Sequence, residues 1–172
     1  MPTKRFYPWP PLREPDRATS EFLARWDQEG APSIFINYRH TDKYAARLLD
    51  EDLSDCFGTQ ALFRATRSIA PGVNYITAIH EAIKRSRVML AIIGLDWADS
   101  IRQGKHEWAV REIEEAQAIE KPVIPVFLSN SIPPPANNYD IWCLEPELMP
   151  PGIRPEFAQV RGFEYGAKDA LD

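Results

Sequence analysis

The residues best spaced for chemistry in this chain are Trp108 and Glu112, in the run His106-Glu107-Trp108-Ala109-Val110-Arg111-Glu112-Ile113. On a helix, residues four apart are neighbours on one face. A carboxylate beside an indole suits a cationic heterocycle carried on a sugar. The indole stacks on the cation. The carboxylate accepts hydrogen bonds from ribose hydroxyls and stabilises the positive charge that develops as a glycosidic bond breaks. The same spacing fits a plainer and commoner pair, a packing indole and a glutamate solvated near Arg111 and Glu115. The histidines His40, His80 and His106 are scattered and none reads as a ligand. His80 falls among Ile76, Ile79 and Ile83 and is expected to be partly exposed. Metal-ligand spacing is absent.

These side chains need elements to hold them. Ile34-Phe35-Ile36-Asn37-Tyr38 is a short apolar run rich in β-formers and reads as a buried strand. Asp42 can cap a helix with apolar positions Ala45, Leu48, Leu49, Leu53, Cys56 and Phe57, ended by Gly58. On that face Cys56 is expected to be a buried thiol. Ala61-Leu62-Phe63 is a brief second strand, followed by a polar loop from Arg64 to Gly72. A helix with Ile76, Ile79 and Ile83 on one face leads to Val88–Ile93, an unbroken apolar run suited to a central strand covered on both sides. Gly94 breaks that strand. A loop of about a dozen residues then precedes a third helix, near Lys105 to Glu120. Val123–Leu128 is the next strand, and Pro125 inside it suggests an edge or a bulge.

The flanks are different. Met1 to Pro15 is rich in proline and aromatics, including Phe6, Tyr7 and Trp9, and is expected to run extended over the surface. A short helix over Arg17–Glu29, with Phe22, Leu23 and Trp26 on one side, stops at Gly30. Beyond Ser129, proline clusters punctuate an irregular segment, with a last weak helix-to-strand signal near Pro155 to Tyr165. The expected division is an extension over 1–32 and one domain over 33–172, with its core at 33–128. Alternating strands and helices imply α/β architecture with a parallel sheet. Such sheets bind ligands at the carboxyl ends of their strands, here after Tyr38, Phe63 and Ile93.

Several chemistries are excluded by what stands at those ends. No G-x-G-x-x-G follows the first strand, no glycine-lysine phosphate loop occurs, and no G-x-S-x-G elbow exists. A phospho-accepting receiver needs acidic residues where Asn37, Tyr38 and Gly94 stand. The formal net charge of −5 argues against nucleic acid as a partner. Two cysteines, Cys56 and Cys143, do not suggest a disulfide framework, so a reducing cytoplasm is expected. No stretch is apolar enough for a signal peptide or a membrane span.

Taken in order, the motifs resemble the Toll/interleukin-1 receptor (TIR) family in its bacterial form. Ser33-Ile34-Phe35-Ile36-Asn37-Tyr38-Arg39-His40 is similar to the family's first box, with Asn37 where serine is usual. Arg67-Ser68-Ile69-Ala70-Pro71-Gly72 is similar to the second box, with Ser68 where aspartate is common. The aspartate that many members have shortly after the second strand is missing from Phe63–Arg67. Ile93-Gly94 with Trp97 resembles bacterial members, and Trp108–Ile113 matches the helix that carries the catalytic glutamate in NAD-cleaving ones. The resemblance covers about Ser33 to Leu128.

It implies a flavodoxin-like three-layer sandwich with a parallel sheet of about five strands. It implies that Glu112 is the catalytic carboxylate, that Trp108 lines the nicotinamide end, and that Tyr38 and Arg39 lie beside the substrate, with Trp97 near them. Ile69, Ala70, Pro71 and Gly72 would form the loop that packs against a neighbouring protomer. Arg39 as a surface residue paired with Asp42, and Trp97 simply covering the sheet end, are equally open readings of those residues. The expected activity is hydrolysis or cyclisation of NAD+ to nicotinamide and ADP-ribose, in antiphage defence or NAD-derived signalling. NAD+ would be a substrate, with no other cofactor. Expected partners are further TIR domains and an activating or downstream protein, but neither nucleic acid nor membrane. The alternatives are a non-catalytic TIR–TIR interaction module and a nucleoside deoxyribosyltransferase-like enzyme. A change at Glu112 is expected to leave the fold intact, as changes at surface glutamates do.

Overall fold

The structure, a computed structural model, describes residues 10, 12–105, 107–128 and 163–165. Its elements are α1 (Arg17–Glu29), β1 (Ile34–Asn37), α2 (Lys43–Phe57), β2 (Leu62–Phe63), α3 (Ala65–Ser68), α4 (Tyr75–Arg85), β3 (Val88–Ile93), α5 (Trp97–Arg102), α6 (Glu107–Ala118), β4 (Val123–Leu128) and β5 (Phe163–Tyr165). The five strands are parallel and lie in the order β2-β1-β3-β4-β5. Strand order reverses between β1 and β3, which defines the crevice where such sheets bind ligands.

Alternation along the strands divides the core in two. Phe35, Phe63, Met89, Ala91, Ile93, Val123 and Phe127 face α4, α5 and α6, meeting Ile79, Ile83, Trp97, Val110 and Ile113. Ile36, Leu62, Leu90, Ile92 and Val126 face α2 through Ala46 and Leu49. With helices on both sides, β3 is apolar along its whole length, as a doubly covered parallel strand must be. Asn37 shares the parity of Phe35, so its side chain points into the α6 layer.

Helix α1 has the expected bounds. Asp16 accepts from the Thr19 backbone N–H at its start, and Gly30, at φ +93°, closes its end. It packs within the same helical layer: Trp26 meets Phe63 edge-on, Arg85 pairs with Asp27, and buried Thr19 accepts from the Asn74 backbone N–H.

Helix α2 departs from the expected face. Ala46, Leu49 and Asp50 are buried, whereas Leu48 and Phe57 are exposed and so is the Cys56 thiol. The reason is polar. Asp50 turns inward to meet Arg64 and Arg67, a demand that apolar periodicity does not register. Asp42 occupies the N-cap position but makes no side-chain cap, because its carboxylate is taken by Arg39. The expected loop after β3 contains α5, the polar loop after β2 contains α3, and α6 is shorter than its expected span.

Strand β4 lies inside the sheet between β3 and β5, correcting the edge or bulge expected from Pro125. Pro125 sits opposite Ala91 of β3, and pairing to β5 begins only at Val126. The proline's missing N–H therefore precedes the second ladder. The weak C-terminal signal becomes β5 in its last three residues. Phe6, Tyr7, Trp9, His106, Cys143 and the proline clusters at 133–135 and 150–151 lie outside the described residues.

Candidate functional site

Glu112 projects from α6 toward the carboxyl end of β1 and is only 8% exposed. This overturns the surface position expected for it. The Asn37 side-chain amide donates from Nδ2 to Glu112 Oε2 at 2.8 Å and to the backbone carbonyl of Ala109 at 3.0 Å. One asparagine thus fixes both the helix and its carboxyl. The amide's own carbonyl, Asn37 Oδ1, is buried with no hydrogen-bond partner among the described residues. Nor does Glu112 form an ion pair among them. Burial pushes its carboxyl up from 4.5 to about 8, the Asn37 hydrogen bond pulls it down, and the Glu115 charge adds a smaller upward push. This buried acid, held by an amide and lacking a cation, can keep a proton near neutral pH or release it at small cost.

The other expected site residues form separate clusters. Arg39 pairs with Asp42, Nε to Oδ2 at 2.6 Å, but inside the protein and not at the surface as expected: it is 3% exposed, and it donates from Nη2 to the Leu95 backbone carbonyl at 2.8 Å. It therefore ties the end of β1 to the loop after β3, across the crevice. Gly94 is required there, since a Cβ would lie 2.1 Å from Asp42 Oδ1 and 2.9 Å from Arg39 Nη2. Tyr38 leans to the α2 side and its hydroxyl meets Thr66 Oγ1 at 3.1 Å. Trp97 is 2% exposed within the core of the α4–α6 layer. Trp108 is half-buried, with Tyr75 edge-on at 5.7 Å and the Arg111 guanidinium over its ring at 5.1 Å.

The second-box segment is anchored at its stem. Asp50, buried on α2, accepts from Arg64 Nε at 2.9 Å and from Arg67 Nε and Nη2 at 2.7 Å each. Arg67 also donates to the Leu62 carbonyl. Beyond it Ile69 packs on the core, whereas Ala70, Pro71 and Gly72 are exposed and Gly72 takes φ +86°. A tip that turns through a left-handed glycine stands on a base fixed by two arginines.

A partly buried pair lies between α4 and α6. His80 Nδ1 meets Glu115 Oε1, with side chains 17% and 10% exposed. Burial pushes Glu115 up to about 7, opposed by Lys84 and assisted by Glu81; burial and Lys84 both push His80 down. The two groups are close in space, and burial disfavours the charged form of each.

Apart from these groups, a cavity of about 240 Å³ opens at the start of α4, lined by Pro10, Leu12, Arg13, Asn74, Ile76 and Thr77. None of the expected site residues lines it. Among the described residues no cluster of His, Cys, Asp or Glu could hold a metal, and no helix is long and apolar enough to cross a membrane.

Sequence reading missed Asn37 as a site residue and saw it only as a replacement for serine. The available signal was its place: a polar side chain ending an apolar strand, two residues after Phe35, hence facing the α6 layer. His80 with Glu115 was missed because the residues are 35 positions apart in sequence and join only when α4 packs on α6.

Comparison with known proteins follows the same outline. No curated protein matches the chain significantly. Among solved structures, the TIR domain of the Toll-related receptor TRR-2 from the lower metazoan Hydra magnipapillata is 14% identical, with 81% of this chain and 89% of that chain covered at a TM-score of 0.51. The TIR domains of the activated Roq1 resistosome, directly recognizing the pathogen effector XopQ, are 20% identical at a TM-score of 0.45. That match covers 56% of this chain, which spans only 57% of the Roq1 chain. The first likeness supports the fold alone. A family model described as TIR domain matches residues 34–145, well over half of the sequence, and the chain belongs to the TIR-domain family.

Proposed function

We propose that this TIR domain cleaves the nicotinamide–ribose bond of NAD+, with Glu112 as the catalytic carboxylate. The observation that supports this is the Asn37–Glu112 pair: a buried carboxyl with no cation among the described residues, held at the carboxyl end of β1. In the reaction the bond from the ribose anomeric carbon to the nicotinamide nitrogen breaks and its electron pair moves into the ring. Neutral nicotinamide leaves, and positive charge spreads over the ribose carbon and ring oxygen. Ionised Glu112 stabilises that charge in a low-dielectric setting, where a carboxylate acts more strongly than in water. Water then attacks the anomeric carbon and loses a proton, giving ADP-ribose; attack by a nitrogen of the same molecule's adenine gives the cyclic product. Asn37 Oδ1 supplies a second acceptor beside Glu112, suited to a ribose hydroxyl. Trp108, one turn before Glu112 on α6, is the aromatic ring on which the cationic heterocycle would stack, in place of the Arg111 guanidinium that lies over it.

The carboxyl must ionise to act. The nicotinamide cation favours the charged form as substrate enters, and rate should rise with pH up to about 8, where the free group titrates. Activity is expected to depend on self-association through the Ala70-Pro71-Gly72 tip, and to serve defence or NAD-derived signalling in the cytoplasm. Concentrated purified protein should release nicotinamide. Because Glu112 is buried, the informative change is Glu112→Gln, which keeps volume and the Asn37 hydrogen bond. Loss of a carboxylate's contribution is expected to lower turnover at least ~100-fold. Equal turnover in the two proteins would end the enzymatic reading.

A second reading, a TIR–TIR interaction module without turnover, is favoured by one observation: the exposed loop tip on its doubly anchored stem. On that reading Pro71 or Gly72 changes abolish assembly, and NAD+ stays intact under every condition.

A further inference from the structure

We infer that Tyr75, the first residue of α4, is a positioning residue that holds the Trp108 ring beside Glu112. Helix α1 sets Tyr75 in place through the hydrogen bond between Thr19 and Asn74. The inference deepens the NAD+ reading, and it rests on Trp108 being the ring that receives the nicotinamide cation. Helix α1 lies before residue 34, where the family match begins, so this fastening comes from outside the matched part of the chain.

Two helix caps interlock here. At the start of α1, Asp16 Oδ1 accepts from the Thr19 backbone N–H at 2.8 Å, which fixes Thr19 in the first turn. Thr19 is fully buried, and its Oγ1 accepts from the Asn74 backbone N–H at 2.8 Å. Asn74 is the N-cap of α4, and its Oδ1 accepts from the Thr77 backbone N–H at 3.2 Å. Held by its backbone and by its side chain, Asn74 fixes where α4 begins. Tyr75 follows at once, three residues after the left-handed Gly72 of the loop tip. Helix α1 is itself fastened at its far end, where Trp26 meets Phe63 edge-on at 5.9 Å and Asp27 pairs with Arg85.

The rings of Tyr75 and Trp108 meet with centroids 5.7 Å apart and planes at 64°, a geometry that aromatic pairs favour. Trp108 also carries the guanidinium of Arg111, from its own helix, over its ring. The proposed substrate takes the place of that guanidinium, whereas Tyr75 holds the indole from a different element. Tyr75 is 52% exposed, so its contact with Trp108 is not a by-product of burial in the core. Losing the tyrosine ring lets the indole turn. Fewer molecules then present it ready for the cation, and affinity falls because the ring must be ordered on binding. A merely structural role would behave otherwise: the melting temperature would drop and the affinity for the cation would stay.

The test uses the full chain and 1-methylnicotinamide, a pyridinium cation with no ribosyl bond to break. The signal is the saturable quenching of tryptophan fluorescence that disappears in Trp108→Phe. Tyr75→Ala should weaken this binding about 3- to 10-fold, the range for a lost aromatic pair. Tyr75→Phe, which keeps the ring, should restore it. Thr19→Val removes the acceptor and nearly keeps the volume; it should weaken binding by a smaller factor, and Thr19→Ser should restore it. Because Thr19 acts through Tyr75, adding Thr19→Val to Tyr75→Ala should cost nothing more. Absence of a Trp108-dependent saturable signal, unchanged affinity in Tyr75→Ala or Thr19→Val, or additive effects of the two changes would each overturn the inference. The titration needs no turnover, so its outcome is separate from that of NAD+ cleavage. Weakened binding in both variants with no nicotinamide release would uphold the positioning and defeat only the proposed reaction. With turnover present, Tyr75→Ala should raise KM by the same factor and leave kcat within about twofold, since the contact serves the bound cation before its bond breaks.

Discussion

Three buried carboxyl groups stand around the carboxyl ends of β1 and β2, and two of them are neutralised in a way the third is not. Asp42 faces the Arg39 guanidinium. Asp50 faces both Arg64 and Arg67. Glu112 faces an amide. The arginine-paired groups tie elements together, β1 to the loop after β3 in one case and α2 to the stem of the second-box loop in the other. A charge with its counter-charge in place is committed to holding the structure. Glu112 has no such commitment among the described residues, and its burial without a cation from them is unfavourable to its charged form. The difference separates carboxylates that serve as fastenings from one whose proton is available.

The contrast can be broken most forcefully at Asp50. Asp50→Ala leaves two guanidiniums without their buried acceptor, and the expected loss is about 3–5 kcal/mol of unfolding free energy, read from denaturant titration. Loss of under about 1 kcal/mol would mean that the cluster fastens nothing. Gly94→Ala probes the other pair less severely. The added methyl must displace Asp42 from Arg39, with an expected cost of about 1–3 kcal/mol in the same measurement; unchanged stability would show the pair to be loose.

The smallest effect at neutral pH belongs to Glu112. Glu112→Gln replaces a group that is still mostly protonated at pH 7, so stability there should change by less than about 1 kcal/mol, as volume-conserving swaps do. The comparison sharpens with pH. The folded chain holds the Glu112 proton to about pH 8, whereas the unfolded chain releases it near 4.5. The stability due to that proton is whole below about 4.5 and is lost as pH rises through 8, with a slope of at most about 1.4 kcal/mol per pH unit. Thermal melts from pH 5 to 9 should show a steeper decline for wild type than for Glu112→Gln. Parallel curves would mean that the carboxyl is already ionised in the folded chain, like its arginine-paired counterparts.

How legible these features were in the sequence depended on what fixed them. Strands β1, β3 and β4 were read from apolar runs, and α1 to its bounds, because Gly30 and the spacing of Phe22, Leu23 and Trp26 are local signals. The buried face of α2 was misread, because Asp50 enters the interior on the strength of partners 14 and 17 residues away. Pro125 misled for a related reason: which side of a strand carries a second ladder depends on where β5 begins. At the site, Glu112 and Trp108 were singled out from helical spacing and from a resemblance. The ring face of Trp108 against Tyr75, and the withdrawal of Arg39 and Trp97 into the interior, were not visible at that level.

The sequence by itself determined the order of strands and helices, the parallel α/β architecture and the helix that carries Glu112, since periodicity, caps and β-rich runs act over a few neighbouring residues. Tertiary structure alone decided which carboxyl groups met arginines and which met an amide. That outcome depends on the packing of α6 on β1, of α2 on the stem after β2, and of α4 on α6, which brings together residues 75, 17 and 35 positions apart in the chain. The ionisation of a buried group follows from such company, because its charge is governed by desolvation and by the nearest partners in space.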